Sequence, residues 1–267
     1  MLKELGLQPN DLTSLQKMEW SLMVAGGNAA STKMNGPIRG QGGPGGPPSA
    51  SPRVGWSPTM DGRIINVRSF YDGAPDVSKQ IAMLIGNVSE EGMRYSSNPT
   101  EAEWRETLSR TLGADKVTAL ITARKKAHPE KSIRTLSYGV QGLSSRNNVQ
   151  RMVKMKYEQR AAPVYQYFFT WQSPMLEGSG AWHTSELAFC FDNTKRCEQG
   201  TGNTPEAKAL AKKMATAWAN FARTGRPSQP GLTWTSSDPT RCNTMVFDNQ
   251  CRMVDDPEGD ARRILLS

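Results

Sequence analysis

The chain has 267 residues, enough for one or two domains at ~150 residues each. Its hydrophobic share of 37% excludes a disordered or collagen-like chain, and no apolar run approaches the ~20 residues that a membrane-spanning helix needs. The formal charge of +8, from 33 basic against 25 acidic side chains, admits an anionic partner. The basic residues are nevertheless spread along the chain without an RRM, KH, helix-turn-helix or zinc-finger pattern, so no nucleic-acid partner is expected.

In chain order, Asn10 or Asp11 is placed to cap a helix with the apolar face Leu12, Leu15, Met18 and Leu22, which Gly26-Gly27 should stop. Residues 36–52 read as a flexible Gly/Pro loop. They are no phosphate cradle, since neither a Lys-Ser/Thr pair nor a strand-to-helix context follows. Ile81 to Ile85 is a short continuous apolar run, as in a parallel strand buried on both faces. Thr100-x-x-Glu103 is a capping box for a helix carrying Trp104 and Leu108, with Gly113 as its end. A second helix, Ala114 to Lys126, presents Val117, Leu120 and Ile121. From Arg146 to Arg160, the basic Arg151, Lys154, Lys156 and Arg160 alternate with Met152, Val153, Met155 and Tyr157, which predicts an amphipathic helix with a solvated basic face.

Pro163 to Trp171 is dense in aromatic and β-branched residues and predicts a strand. Thr204 caps a long helix with Pro205 in its first turn, the stripe Leu210, Met214, Ala217, Trp218 and Phe221, and a stop at Gly225-Arg226-Pro227. Thr244 to Phe247 and Arg252 to Val254 predict a hairpin. Buried strands alternating with amphipathic helices indicate the α/β class.

The four cysteines, Cys190, Cys197, Cys242 and Cys251, contain no Cys-x-x-Cys pair and no histidine at ligand spacing, so no metal or other cofactor is implied. Cys190/Cys197 or Cys242/Cys251 pairing and free thiols both stay open, and with them the compartment. Of the two histidines, His128 lies at a helix end, suited to an exposed or capping role. His183 lies in a Gly-rich turn after a predicted strand, where a structural or a catalytic role would fit. Glu90-Glu91-Gly92 follows the Ile81–Ile85 run, at the strand end where open α/β sheets gather functional groups, or as a plain acidic turn.

Several ordered segments share one likeness. Ile85-Gly86-Asn87-Val88-Ser89-Glu90-Glu91-Gly92 resembles the segment of the type-B carboxylesterases, the cholinesterase and para-nitrobenzyl-esterase family, that carries the acid of the catalytic triad. Val164 to Phe168 followed by Gly180-Ala181-Trp182-His183-Thr184-Ser185-Glu186-Leu187 resembles that family's histidine segment. Trp218 to Pro227 with Trp234, the ending Met245 to Pro257, and Gly55-Trp56-Ser57-Pro58-Thr59-Met60-Asp61-Gly62 resemble further family segments.

The resemblance implies that residues 1–267 are one partial domain: the C-terminal part of an α/β-hydrolase fold, a mostly parallel sheet flanked by helices, with the N-terminal half missing. It implies Glu91, which directly precedes the Gly of the motif, as triad acid, His183 as general base, and Glu186 as a buried carboxylate supporting them. The substrate implied is a small-molecule carboxylic ester. The Ser nucleophile should precede Glu91 in a Gly-x-Ser-x-Gly elbow. Ser21 and Ser31 lack the flanking glycines, and Ser179 has them one residue away instead of two. The chain is thus expected to begin after the half that holds the nucleophile, and to be inactive alone. A non-catalytic cholinesterase-like binding protein or a truncated remnant is the alternative.

Overall fold

The structure is a computed structural model and describes residues 1–35, 56, 61–65, 69–93, 98–174 and 179–267. The 36–52 loop and most of the Gly55–Gly62 segment lie outside the described residues. The chain divides into two compact units, Met1–Arg68 and Ser69–Ser267.

In the first unit, Asp11 accepts a hydrogen bond from Ser14 N–H (3.0 Å) and opens α1, Leu12–Lys17. Met18 is extended (ψ 142°) and breaks the helix. Helix α2 then spans Trp20–Asn35 and runs straight through Gly26-Gly27, the expected stop. A helical glycine costs about 1 kcal/mol against alanine, but close packing requires it here. A Cβ on Gly26 would lie 2.5 Å from Leu5 Cδ2, and one on Gly27 would lie 2.1 Å from the Trp56 ring. Of the expected apolar face, Leu15 and Met18 are half-buried while Leu12 and Leu22 are exposed.

The second unit is built on a four-stranded sheet: β1 Met83–Val88, β2 Val164–Phe169, β3 Asn243–Phe247 and β4 Arg252–Asp255, in that order. β1, β2 and β3 are parallel, and β4 closes the expected hairpin antiparallel to β3. Alternation along β2 assigns its two faces. Tyr165, Tyr167 and Phe169 pack under α8, Pro205–Thr224, against Leu210, Met214 and Trp218. Val164 faces the long helix α5, Ile133–Glu158, beside Val149 and Val153, and Gln166 bonds to Gln150 across the same side (3.0 Å). This is the period-2 pattern of a strand covered on both sides.

Two strand and helix limits differ from expectation. β1 starts at Met83, two residues after the predicted Ile81, and Ile81 is 65% exposed. Among the described residues β1 pairs only with β2 and is an edge strand, half-buried over its first four residues; both faces are nevertheless covered, Leu84 and Val88 on the α8 side and Met83 and Ile85 on the α5 side. The capping-box helix α3, Glu101–Ser109, buries Trp104 and Leu108 as expected. It ends before Gly113, which instead takes the N-cap position of α4, Ala114–Ala127.

The basic helix face also needs correction. Arg151, Lys154 and Arg160 are exposed, but Arg146 and Lys156 are buried. Arg146 donates to Thr244 Oγ1 (2.5 Å) and Pro257 O (3.2 Å) and lies 5.1 Å over the Phe168 ring. Burial lowers its guanidinium to about 10, partly offset by Asp256. Lys156 donates to Ser78 O, Lys79 O and Gln159 Oε1 at 2.8, 2.9 and 3.1 Å. Its ammonium has a full set of acceptors, and that is what makes an inward-facing lysine tolerable.

The remaining helices are α6, Leu187–Cys190, α7, Glu198–Thr201, and α9, Gly259–Leu266, which packs against α4 and α5. All four cysteines are free. Cys242 precedes the Asn243↔Asp255 end of the β3–β4 ladder and Cys251 the Val246↔Arg252 end, so the hairpin holds the two apart. No helix of the described residues is long and apolar enough to cross a membrane.

Candidate active site

The site forms beyond the carboxyl ends of β1 and β2, where a parallel sheet leaves its loops free to carry side chains. β1 leads into the turn Ser89–Gly92, anchored by Ser89 N–H donating to Phe169 O (3.0 Å). Asn87 Nδ2 donates to Val88 O (2.8 Å) and to Gly142 O of α5 (3.1 Å), fixing the strand end against the helix. Glu91 projects from this turn, and its Oε1 accepts from Val88 N–H at 3.4 Å.

The second strand end contributes the segment 179–186. Ala181 O accepts from Glu90 N–H (2.9 Å), and Glu90 and Trp182 form an isolated parallel bridge. A tight turn follows, with Ser185 N–H donating to Trp182 O (2.9 Å) and Thr184 at φ 73°. His183 stands at its apex. Its Nδ1 lies 2.6 Å from Glu91 Oε2.

The structure therefore brings Glu91 and His183 together. The His183 side chain is 66% exposed and that of Glu91 only 13%. A carboxylate is acceptor-only, so a neutral imidazole bonded to it through Nδ1 carries its proton there and leaves the Nε2 lone pair free. Among the described residues nothing hydrogen-bonds Nε2. Such an imidazole can accept a proton at Nε2 while the carboxylate stabilises the resulting cation.

Glu186 is half-buried rather than enclosed, and its Oε2 is buried with no hydrogen-bond partner among the described residues. Burial pushes its carboxyl up, Glu91 adds to the rise, and His183 opposes it. Burial likewise raises the Tyr167 phenol, reinforced by Glu186. The same two influences push the Cys190 thiol up to about 12, so it is not a ready thiolate. Ser179 is buried at 2% exposure with an unpartnered hydroxyl and does not reach His183.

Some residues went unassigned in the sequence. Glu90 points the other way from Glu91 and is fully buried, with its Oε1 2.7 Å from Lys131 Nζ. His128 caps α4 but does not remain a simple surface group: its Nε2 meets Glu258, whose other oxygen is 2.7 Å from Arg124. No spacing rule links positions so far apart. The adjacent Glu90-Glu91 pair at a strand end was the one available signal.

With this geometry established, the comparisons with known proteins are consistent with one another. The chain belongs to the carboxylesterase family, whose sequence model matches residues 44–260. It is 24% identical over 222 residues to the para-nitrobenzyl esterase of Bacillus subtilis strain 168, covering 79% of this chain and 43% of that protein. To the acetylcholinesterase of Bungarus fasciatus it is 34% identical over 105 residues, 35% of this chain and 17% of the relative. Among solved structures, an esterase from anaerobic Clostridium hathewayi, described as able to hydrolyze aliphatic aromatic polyesters, aligns with TM-score 0.72 and 26% identity. That alignment covers 99% of this chain and 50% of the esterase. A para-nitrobenzyl esterase structure aligns with TM-score 0.63 and 20% identity, showing the shared fold. The fold is that of the α/β-hydrolase carboxylesterases, and the chain spans about half the length of these two aligned structures.

Proposed function

We propose that residues 1–267 form one partial domain, the C-terminal portion of a serine carboxylesterase acting on small-molecule carboxylic esters, with Glu91 as triad acid and His183 as general base. The observation that carries this reading is the 2.6 Å contact between His183 Nδ1 and Glu91 Oε2 beyond two parallel strand ends. In the proposed cycle, His183 Nε2 takes the proton of a serine hydroxyl as that oxygen attacks the ester carbonyl. The imidazolium, stabilised by Glu91, then gives the proton to the departing alcohol. Water repeats the sequence on the acyl-enzyme and returns the serine.

No Gly-x-Ser-x-Gly elbow stands before Glu91 in the sequence. The reading therefore assigns the serine and the oxyanion donors to the N-terminal half of the fold, outside residues 1–267, without which the acyl-transfer route lacks its nucleophile and its main electrostatic stabilisation. The same lack of an elbow is what favours the second reading, a non-catalytic cholinesterase-like binding protein.

Hydrolysis of a p-nitrophenyl ester separates the two. The chain alone should be inactive, and adding a carboxylesterase N-terminal half should give activity that a serine-directed inhibitor abolishes. His183→Ala or Glu91→Gln should then lower kcat/KM by about 10²–10⁴-fold. Activity of the isolated chain that survives both the inhibitor and His183→Ala would sink the esterase assignment, and no activity in any combination would favour the binding protein.

A further inference from the structure

We propose that Glu90, held by Lys131, is the positioning residue for the His183 turn. The inference rests on the reading of His183 as general base, and concerns what keeps that imidazole aimed.

The ring itself is poorly held. His183 is mostly exposed, and among the described residues its hydrogen bonding is confined to Glu91. Its orientation must come from the backbone that carries it. That backbone is fastened at Ala181, two residues earlier, and the fastening is Glu90. The fully buried Glu90 carboxylate receives Ala181 N–H at 2.8 Å, Lys131 Nζ at 2.7 Å and the Ser89 hydroxyl. The Glu90 N–H donates back to Ala181 O at 2.9 Å. Gly180 is left-handed (φ +62°), and a Cβ there would lie 2.4 Å from Glu90 Oε2, so the carboxylate occupies the space a side chain would need.

Glu90 and Glu91 are consecutive. One holds the turn bearing the base, and the other meets the base itself, so both ends of the contact are registered from one short segment. A carboxylate taken out of water is tolerated only where it is paired. Lys131, 8% exposed and placed just before α5, supplies that pairing and ties the arrangement to a third part of the chain.

The test uses the ¹⁵N-labelled chain at pH 8, where His128 and His183 are the two histidines. Long-range ¹H–¹⁵N spectra report the imidazole tautomer, with His183 identified as the set lost in His183→Gln. The parent chain should show one His183 tautomer, protonated on Nδ1. Glu90→Ala and Lys131→Met should each give mixed tautomers, while near-ultraviolet circular dichroism shows the fold retained. The double variant Glu90→Gln/Lys131→Met keeps an acceptor for Ala181 without either charge and should return to one tautomer. If Glu90→Ala does not fold, Lys131→Met and the double variant carry the test. Mixed tautomers in the parent, an unchanged His183 in a folded single variant, or a double variant no better than the singles would each overturn the proposal.

With an N-terminal half supplied, Lys131→Met should lower kcat for a p-nitrophenyl ester about 10²-fold and leave KM within about twofold. Equal loss in both would mark a merely structural role and also overturn it. The imidazole readout needs no substrate. Full activity of His183→Ala would therefore reject the esterase reading separately from the positioning role.

Discussion

At the scale of single residues, Glu258 shows how a buried group links packing to pH. Its side chain is 5% exposed, at φ +65°, between Arg124 and His128. Burial alone would raise its carboxyl, but the His128 hydrogen bond and the Arg124 charge overcome this and hold it at about 2. A folded value below the usual 4.5 means stability that is present above pH 4.5 and lost as pH falls towards 2, on the order of 3 kcal/mol. Urea unfolding at pH 7, 4 and 2.5 should show this loss in the parent chain and a flatter profile in Glu258→Gln. The variant should already be weaker at pH 7, because Arg124 loses its buried counter-charge. Equal pH profiles would refute this account of Glu258.

Glu91 and His183 were legible in the sequence because they sit in motifs. Glu90 was not, because two identical neighbouring side chains differ only in the side of the turn they face. Arg146 and Lys156 were misread for a related reason: a basic residue looks solvent-facing until the acceptors opposite it are known.

Among the elements, α8 was the most legible, with cap, proline, stripe and glycine stop all local. Thr204 Oγ1 accepts from Ala207 N–H at 3.2 Å, and Gly225 closes the helix in the left-handed conformation (φ 71°). Thr204→Ala should cost about 1 kcal/mol, read as a lowered denaturation midpoint with an unchanged slope. A midpoint equal to the parent's would show that the cap contributes nothing. The hairpin was legible by the same local chemistry. The path of α2 through Gly26-Gly27 was not, because Leu5 and Trp56 decide it from outside the helix. Gly113 was assigned to the wrong helix since a glycine reads alike after one helix and before the next. Both α9 and the first half of α5 escaped notice. The first half of α5 does present an apolar stripe, Ile133, Leu136, Val140 and Leu143, but Gly139 and Gly142 between them weaken the local helix signal, and α9 owes its place to packing against α4 and α5.

For the whole second unit, the sheet edge has the largest consequence. Among the described residues β1 pairs on one side only, and Ile81 beside it is 65% exposed. An unpaired strand edge with apolar neighbours is a template for association. The chain alone should sediment as dimers or larger species at micromolar concentrations, and Ile81→Lys should shift it towards monomer, since an edge lysine discourages strand pairing. A monomer at all concentrations would show that the edge is protected.

The sequence by itself determined the type of the sheet strands and of the helices with local caps and stripes, because strand and helix periods, caps and turn residues act over a few positions. It also held the two segments that carry Glu91 and His183. Only the tertiary structure brought Glu91 to His183, 92 positions away. It likewise decided that Glu90 turns inward to Lys131. Those outcomes depend on what packs opposite each residue, and burial, ion pairing and hydrogen bonding between distant segments exist only once the sheet has brought those segments together.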